Sequence, residues 1–351
     1  MENMIITGAD GFIGSHLVDF YIKKNYKIFA LKKPGELVLN LTHYTNNKID
    51  FLKEEYLEFF DEYVEIPTND ERITLLDCDL RDNILMEKFI FKIKPKIILH
   101  FGAQSLVLAS WKDPIETMES NAIGTINVLE SVKKHNLKTR IIVACSSAEY
   151  GTSTELKRPL RESDPLLAIH PYGISKIATE LLSRQYFLNF GIDTLTLRFF
   201  NQTGIRKIND VCSDFVRDVA KIELGLIKPI IKVGNLNTYR DITGIKDTIQ
   251  AIYLAIKKGK AGETYNVCSG RKIQIRQILN FTLGFSNKKI KVIESSPEKL
   301  RSLDEEIIEG DNSKIIRELG WKITAKIEET LKEMFTFWIN YYKKYGLTLD
   351  F

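Results

Sequence analysis

The opening residues leave this chain little choice of fold. Asn3 to Thr7 reads NMIIT, a short apolar strand, and GADGFIGSHL follows at once as a glycine-rich turn leading into an amphipathic helix. Gly8, Gly11 and Gly14 are spaced G-x-x-G-x-x-G, one residue looser at the front than the common dinucleotide-binding pattern G-x-G-x-x-G. Glycines permit a tight turn and close backbone approach, and the free N–H groups of a helix N-terminus suit a pyrophosphate. Phe12 and Ile13, between the glycines, are expected beside the same ligand. The plain alternative is a strand-to-helix turn that binds nothing.

The pattern after the turn alternates strand and helix. KIFALKK is a second strand ending in Lys32 and Lys33, with no acid there to hold ribose hydroxyls. Cations at this position accommodate a 2′-phosphate, which favours NADP(H) over NAD(H). Residues 35–72 form a long insertion rich in Tyr, Phe and acids; DFLKEEYLEFF within it has helical spacing, and the insertion is a candidate contact for a partner subunit. Ile73 to Asp77 is a third strand, followed by Asp79 and Leu80 at the adenine edge. KPKIILHFGA brings Gly102 and Ala103 toward the nicotinamide side, Ser120 to His135 is a helix, and RIIVAC is a fifth strand delivering Ser146. This alternation predicts an α/β fold: a Rossmann-type doubly wound parallel sheet with a smaller C-terminal α/β substrate lobe. Residues 1–200 are assigned to the dinucleotide-binding domain, which also carries the catalytic residues, and 201–351 to the substrate lobe, some segments of which return to the first domain. In the last third, helices are expected over Ser213–Leu224, Ile245–Lys258, Ile275–Leu283 and Ile327–Tyr345, and the aromatics of MFTFWINYY read as core.

Ligands of open α/β sheets bind outside the carboxyl ends of the strands, where the glycine turn, Gly102 and Ser146 converge. HPYGISK opens a helix nearby, with Tyr172 and Lys176 one turn apart on one face. A phenol is a weak acid, and an adjacent ammonium lowers its pKa, making it usable in general acid–base chemistry. The hydroxyl of Ser146 or Ser147 adds a hydrogen bond to the same reacting oxygen. Taken alone, the Tyr-x-x-x-Lys pair is ordinary helix surface. The dinucleotide site upstream gives it weight.

Charge and cysteine usage exclude other classes. A net charge of +4 over 351 residues points to neither a nucleic-acid nor a membrane surface. Cys78, Cys145, Cys212 and Cys268 are scattered without metal-ligand spacing, so reduced cytoplasmic thiols and no metal are expected.

TGADGFIGSHL, HFGAQS, CSSAEYG and PYGISK together resemble the extended short-chain dehydrogenase/reductase family, from Met4 to about Trp338. FFNQTGIR, IIKVGNLNTYRD, GETYNVCSG and LRSLDEEIIEGDNSKI resemble its GDP-sugar branch of dehydratases and reductases. The resemblance implies that Tyr172 is the general acid/base, that Lys176 also holds the cofactor ribose, and that Ser146 binds the reacting oxygen. It matches Asn201, Asn235, Arg240 and Arg301 to sugar-nucleotide contacts, with Ser105, Ser147 and Arg217 as further substrate residues. Arg240 and Arg301 also read as loop arginines beside apolar strands, suited to fork a pyrophosphate. A homodimer or homotetramer is the expected assembly.

Within the branch, the dehydratases place a glutamate two residues before the tyrosine of the terminal Tyr-Gly, as the base for carbon 5. Tyr150 and Gly151 set the register here, and that position is Ala148. Glu149 lies one residue later, on the opposite face if the strand is regular. SSAEYG is closer to the reductase form, whereas HFGAQS and the insertion are closer to the dehydratases. The reading adopted is NADPH-dependent reduction of a GDP-4-keto-6-deoxy sugar. Dehydration of a GDP-sugar, epimerisation, and a non-enzymatic dinucleotide sensor stay open.

Overall fold

The computed structural model describes residues 1–36, 38–45, 58–60, 63–66, 68–299 and 305–347. The strands are β1 (Glu2–Thr7), β2 (Tyr26–Lys32), β3 (Glu58–Phe60), β4 (Tyr63–Ile66), β5 (Ile73–Asp77), β6 (Ile97–His100), β7 (Arg140–Ser146), β8 (Thr194–Phe199), β9 (Asn201–Thr203), β10 (Ile230–Lys232), β11 (Tyr239–Gly244), β12 (Thr264–Val267), β13 (Lys272–Gln274), β14 (Lys291–Ile293) and β15 (Ile307–Ile308). The helices are α1 (Phe12–Tyr21), α2 (Asn83–Ile93), α3 (Val107–Lys112), α4 (Pro114–Met118), α5 (Gly124–Lys134), α6 (Pro171–Phe190), α7 (Val211–Glu223), α8 (Ile245–Lys258), α9 (Ile275–Leu283), α10 (Ser313–Leu319) and α11 (Ile327–Tyr345).

The main sheet runs β12-β8-β7-β6-β1-β2-β5-β4-β3. From β12 to β5 every pairing is parallel, while β4 and β3 close one edge antiparallel. Strand order reverses at β1, between β2 and β6, so the crevice of a doubly wound sheet opens above their carboxyl ends. The central strands are buried on both faces: all four residues of β6 and all six of β8 are buried, although β8, TLTLRF, alternates polar and apolar residues. One face packs on α1, α8 and α10 through Leu17, Val18, Ile252 and Leu319. The other packs on α2, α5 and α6 through Met86, Phe89, Leu129 and Tyr186.

Two helix starts place chemistry. His170 caps α6, accepting the Gly173 N–H at 3.0 Å, and Pro171 sits in the first turn, where its missing N–H costs nothing. Asp210 and Ser213 form a reciprocal cap on α7. In the C-terminal third, α7, α9 and α11 build a separate apolar cluster that contains Trp338 and Tyr342. β11 is the hub of the small sheet there, pairing with β9, β13 and β15.

The expected strands and the four late helices appear within a few residues of their predicted bounds. The helical spacing of DFLKEEYLEFF does not survive at its end: Glu58–Phe60 is a strand paired with β4. Extending the sheet edge satisfies backbone groups that a short exposed helix would leave to water. The rest of that segment, and Arg301, lie outside the described residues. The predicted helix from Ser120 begins instead as a π-turn over Glu119–Ile123 before α5. No helix among the described residues is long and apolar enough to cross a membrane.

Candidate active site

The glycine turn is built for close approach. Gly8 has φ +65°, and a Cβ there would lie 2.8 Å from the Gly102 Cα. A Cβ on Gly14 would lie 2.1 Å from the Gly8 carbonyl oxygen, so the helix sits directly on its own turn. Gly11 is the N-cap of α1 and offers no side chain, and the first turn holds no acid, which leaves its N–H groups and positive dipole end for an anion. Phe12 and Ile13 are half-buried against the core. Beneath the turn, the Thr7 Oγ accepts the N–H of Phe101 at 3.1 Å and of Gly102 at 2.9 Å. It also meets His100 Nδ1 at 3.0 Å, and His100 Nε2 meets the Thr125 Oγ at 3.1 Å. Burial drives the His100 imidazole down to a pKa of about 3, so it stays neutral.

Sequence reasoning passed over Asp10. Its carboxylate accepts the backbone N–H groups of Leu39, Asn40 and Leu41 at 2.7–2.9 Å, tying the chain after β2 to the glycine turn. Burial outweighs those bonds and raises its pKa to about 6. The available signal was a carboxylate inside the glycine motif itself.

The adenine edge differs from expectation in one respect. Lys32 is buried, ion-paired to Asp77 at 2.6 Å, and donates to the Lys33 carbonyl at 2.9 Å. An acid therefore does stand at this edge, brought from β5 by direct pairing with Lys32. Lys33 is half-exposed and meets Glu116 at 3.1 Å. Asp79 is held by Arg81 at 2.7 Å, which keeps its carboxyl below the usual range. Leu80 packs on Gly102 and Gly124, while Ala103 is half-buried and Ser105 exposed.

Ser146, Tyr172 and Lys176 come together where β7 ends under the start of α6. The Lys176 ammonium is buried and donates to the Ala144 carbonyl at 2.8 Å. Burial lowers its pKa. The Tyr172 phenol is pushed up to about 12 by burial, with the Ser146 hydroxyl pulling the other way. The Lys176 ammonium is directed at a backbone carbonyl, and the hydroxyl that lowers the phenol here is that of Ser146. Asn121, also missed, lies in the π-turn and donates to Ser175 Oγ at 2.8 Å and the Gln104 carbonyl at 2.9 Å, tying α6 to the Gly102 loop.

Residues Ser147–Glu149 form a 3-10 turn rather than more strand. Ser147 and Ala148 are half-buried, and Glu149 is fully buried behind them, accepting the Ser146 N–H at 2.8 Å. The expectation placed Glu149 on the opposite face of a regular strand; the chain has instead left the strand, and the turn and its cap bury the carboxyl against the Ser146 N–H.

The expected substrate residues Asn201, Arg217, Asn235 and Arg240 come from the span 201–351. Asn201 is exposed at the start of β9, its amide 3.3 Å from the Asp241 carbonyl. Asn235 is exposed in a turn where it accepts the Asn237 N–H at 2.9 Å. Arg240 is on β11, not in a loop: it is buried and donates to the carbonyls of Tyr239 at 2.9 Å and Glu305 at 2.7 Å. Arg217 is buried on α7, stacked 4.9 Å over the Trp338 ring and donating to the Tyr342 hydroxyl at 3.1 Å. With Asp214, Asp218, Lys221 and Lys299 it lines a polar cavity of about 170 Å³.

Comparison with known proteins follows the same lines. A family described as GDP-mannose 4,6 dehydratase matches residues 5–334. The GDP-6-deoxy-D-mannose reductase of Pseudomonas aeruginosa is 26% identical over 338 residues, covering 96% of this chain and 97% of the relative. The GDP-mannose 4,6-dehydratase of Yersinia enterocolitica is 26% identical over 369 residues, covering 95% and 93%. The structure of RMD from Pseudomonas aeruginosa complexed with NADPH superposes with a TM-score of 0.78 at 22% identity, covering 97% of this chain and 100% of that one. A Thermus thermophilus UDP-glucose 4-epimerase in complex with NAD gives 0.75 at 22% identity, covering 96% and 98%. Likeness to the solved structures at this identity bears on the fold.

Proposed function

The chain belongs to the GDP-mannose 4,6-dehydratase family of extended short-chain dehydrogenases/reductases, and from that premise we propose that it reduces the 4-keto group of a GDP-linked 6-deoxy sugar with NADPH. The observation that carries the reading is at Ala148 and Glu149. Elimination of water needs a carboxylate at carbon 5, Ala148 stands at the family's position for it, and Glu149 is buried on the far side of Ser146.

The glycine cradle, the uncapped start of α1 and the small Gly102 fit a nicotinamide dinucleotide. Gly8, Gly11 and Gly14 would hold its pyrophosphate, Lys33 its 2′-phosphate, Asp79 and Leu80 the adenine side, and Lys176 the nicotinamide ribose. When bound, NADPH supplies the hydride. The protein supplies the rest. Ser146 donates a hydrogen bond to the keto oxygen, and Tyr172, still protonated, gives its proton to the alkoxide as that charge develops. Asn201, Arg217, Asn235 and Arg240 are assigned to the sugar nucleotide, with residues 201–351 as its lobe and 1–200 as the dinucleotide unit. A second copy of the chain is the partner we assign to the apolar face of the packed helices α3, α4 and α6, where Leu108, Trp111, Ile115 and Leu181 stand exposed. Sedimentation at micromolar concentration reads that assembly, and a monomer refutes it.

The test is a pair of incubations with the unmodified protein, one with GDP-4-keto-6-deoxymannose and NADPH, the other with GDP-mannose and NADP. Two-electron reduction in the first and no change in the second is expected. Loss of one water from GDP-mannose overturns the reductase reading in favour of the dehydratase.

A further inference from the structure

Behind Ser146 lies a buried charged cluster that the chemistry above leaves unused. Glu149 comes from the 3-10 turn, Glu180 from α6 and Arg198 from β8, and they are 0%, 6% and 3% exposed. Arg198 grips Glu180 with two nitrogens, Nε donating to Oε2 at 2.7 Å and Nη2 to Oε1. Its remaining nitrogen donates to the Tyr150 hydroxyl at 2.9 Å and the Glu162 carbonyl at 3.1 Å. The guanidinium is thus committed to Glu180, and Glu149 Oε2 stays 3.5 Å from Nε.

Glu149 uses one oxygen on Ser146 and makes no hydrogen bond within the protein through the other, which is buried. Carboxyl oxygens of Glu149 and Glu180 and the Cys145 sulfur lie within 4.8 Å of one another. The one guanidinium in contact is spent on Glu180 and the Lys176 ammonium on the Ala144 carbonyl, so a second ionised carboxylate would have no direct partner in the dry interior, which costs more than keeping one proton. The unpaired oxygen of Glu149 is the place for that proton, and Glu180 is its acceptor.

We propose that Glu149 is a positioning residue: a neutral carboxyl sharing its proton with Glu180, it clamps the Ser146 backbone and so aims the hydroxyl that meets the substrate oxygen beside Tyr172. This rests on the catalytic reading of Ser146 and Tyr172 given above. Burial and the Glu180 charge both push the Glu149 carboxyl well above its ordinary range. The groups facing it are Cys145 and Ser146 on β7, Tyr172, Lys176 and Glu180 on α6, and Arg198 on β8. A negative charge on Glu149 would tighten the hold of Tyr172 on its proton and so oppose donation.

Glu149→Gln keeps an acceptor for Ser146 and a donor toward Glu180, so turnover should stay within about threefold of the unmodified protein. Glu149→Ala leaves the Ser146 N–H unpaired and should lower kcat by roughly 10- to 100-fold, with KM and NADPH affinity little changed. Equal losses in the two variants would assign the work to an ionised carboxylate and overturn the proposal, as would a Glu149→Ala protein at full rate. Infrared difference spectra of the unmodified protein against Glu149→Gln, near neutral pH and without substrate, read the proton directly. A protonated-carboxyl band missing from the variant supports the clamp, and no such band in the unmodified protein overturns it. Because this arm needs no substrate, failure to reduce the keto sugar would sink the proposed reaction while the state of Glu149 is still decided.

Discussion

Replacing Lys32 with methionine separates structural from cofactor roles at the adenine edge. The Lys32–Asp77 pair is 2.6 Å long with side chains 4% and 14% exposed, so removing the cation strands a largely buried carboxylate. Breaking a buried pair from one side costs about 3–5 kcal/mol, and the partial exposure of Asp77 reduces this to about 2–3 kcal/mol. In a chain of 351 residues that corresponds to a fall of roughly 3–4 °C in Tm. Lys32→Met/Asp77→Asn removes both charges and should recover most of the loss. Lys33, at 52% exposure with Glu116, is a surface pair, so Lys33→Ala should leave Tm nearly unchanged. The same Lys33→Ala should weaken NADP(H) by about 10- to 100-fold, since each charge-assisted bond is worth about 1.5–3 kcal/mol, and should spare NAD(H). Thermal unfolding and cofactor titration by calorimetry read both quantities. Refutation takes either of two forms: a Lys32→Met protein that melts with the unmodified one, or equal binding of NAD and NADP by the unmodified protein.

Other perturbations are as specific. Tyr172→Phe should retain NADPH binding and lose turnover by roughly 100-fold or more, and an active variant would move the proton donor elsewhere. Stability should depend on His100, whose folded pKa of about 3 lies below its ordinary 6.5. The unfolded chain takes up the proton first, so this contribution is complete above pH 6.5 and is lost as pH falls toward 3. By pH 5 the loss from His100 is about 2 kcal/mol, and His100→Asn should narrow the Tm difference between pH 7 and pH 5. Asp10 and Asp241, both raised to about 6, act in the opposite direction between pH 6 and 3.8 and are unaffected by that substitution. An unchanged Tm difference would refute the burial argument for His100.

The parts of the fold that could be read in advance are those governed by local periodicity. β1, β6 and β7 are apolar runs because both sheet faces are covered, and the glycine turn announces itself by spacing alone. What escaped was pairing over long sequence distance. Lys32 meets Asp77 only because β2 and β5 are neighbours in this register, which no inspection of the second strand discloses. Arg240 was read as a loop residue because an arginine beside apolar residues suggests a boundary, yet β11 buries it by giving its donors to two carbonyls. Glu149 shows the same limit in another form. Strand alternation put it on the opposite face, but the chain had already turned into a 3-10 cap that uses its carboxyl on Ser146.

Tyr172 is protonated at rest, and its proton is the first thing either direction of the chemistry must handle. Dehydration begins with oxidation at carbon 4, which requires the phenol to accept a proton, whereas reduction requires it to give one. With burial holding the phenol at about 12, an acid is present across the neutral range and a phenolate is scarce. Lys176 does not offset this, because its ammonium donates to Ala144 and is itself destabilised by burial. A buried pair of this kind is at rest with the proton on the tyrosine. The resting site therefore holds a proton to give to an alkoxide, and a phenol at its ordinary pKa of about 10 would hold it too at neutral pH, so Tyr172 alone does not choose between reduction and oxidation. The proposed reduction rests instead on Ala148, where no carboxylate stands to take the carbon 5 proton.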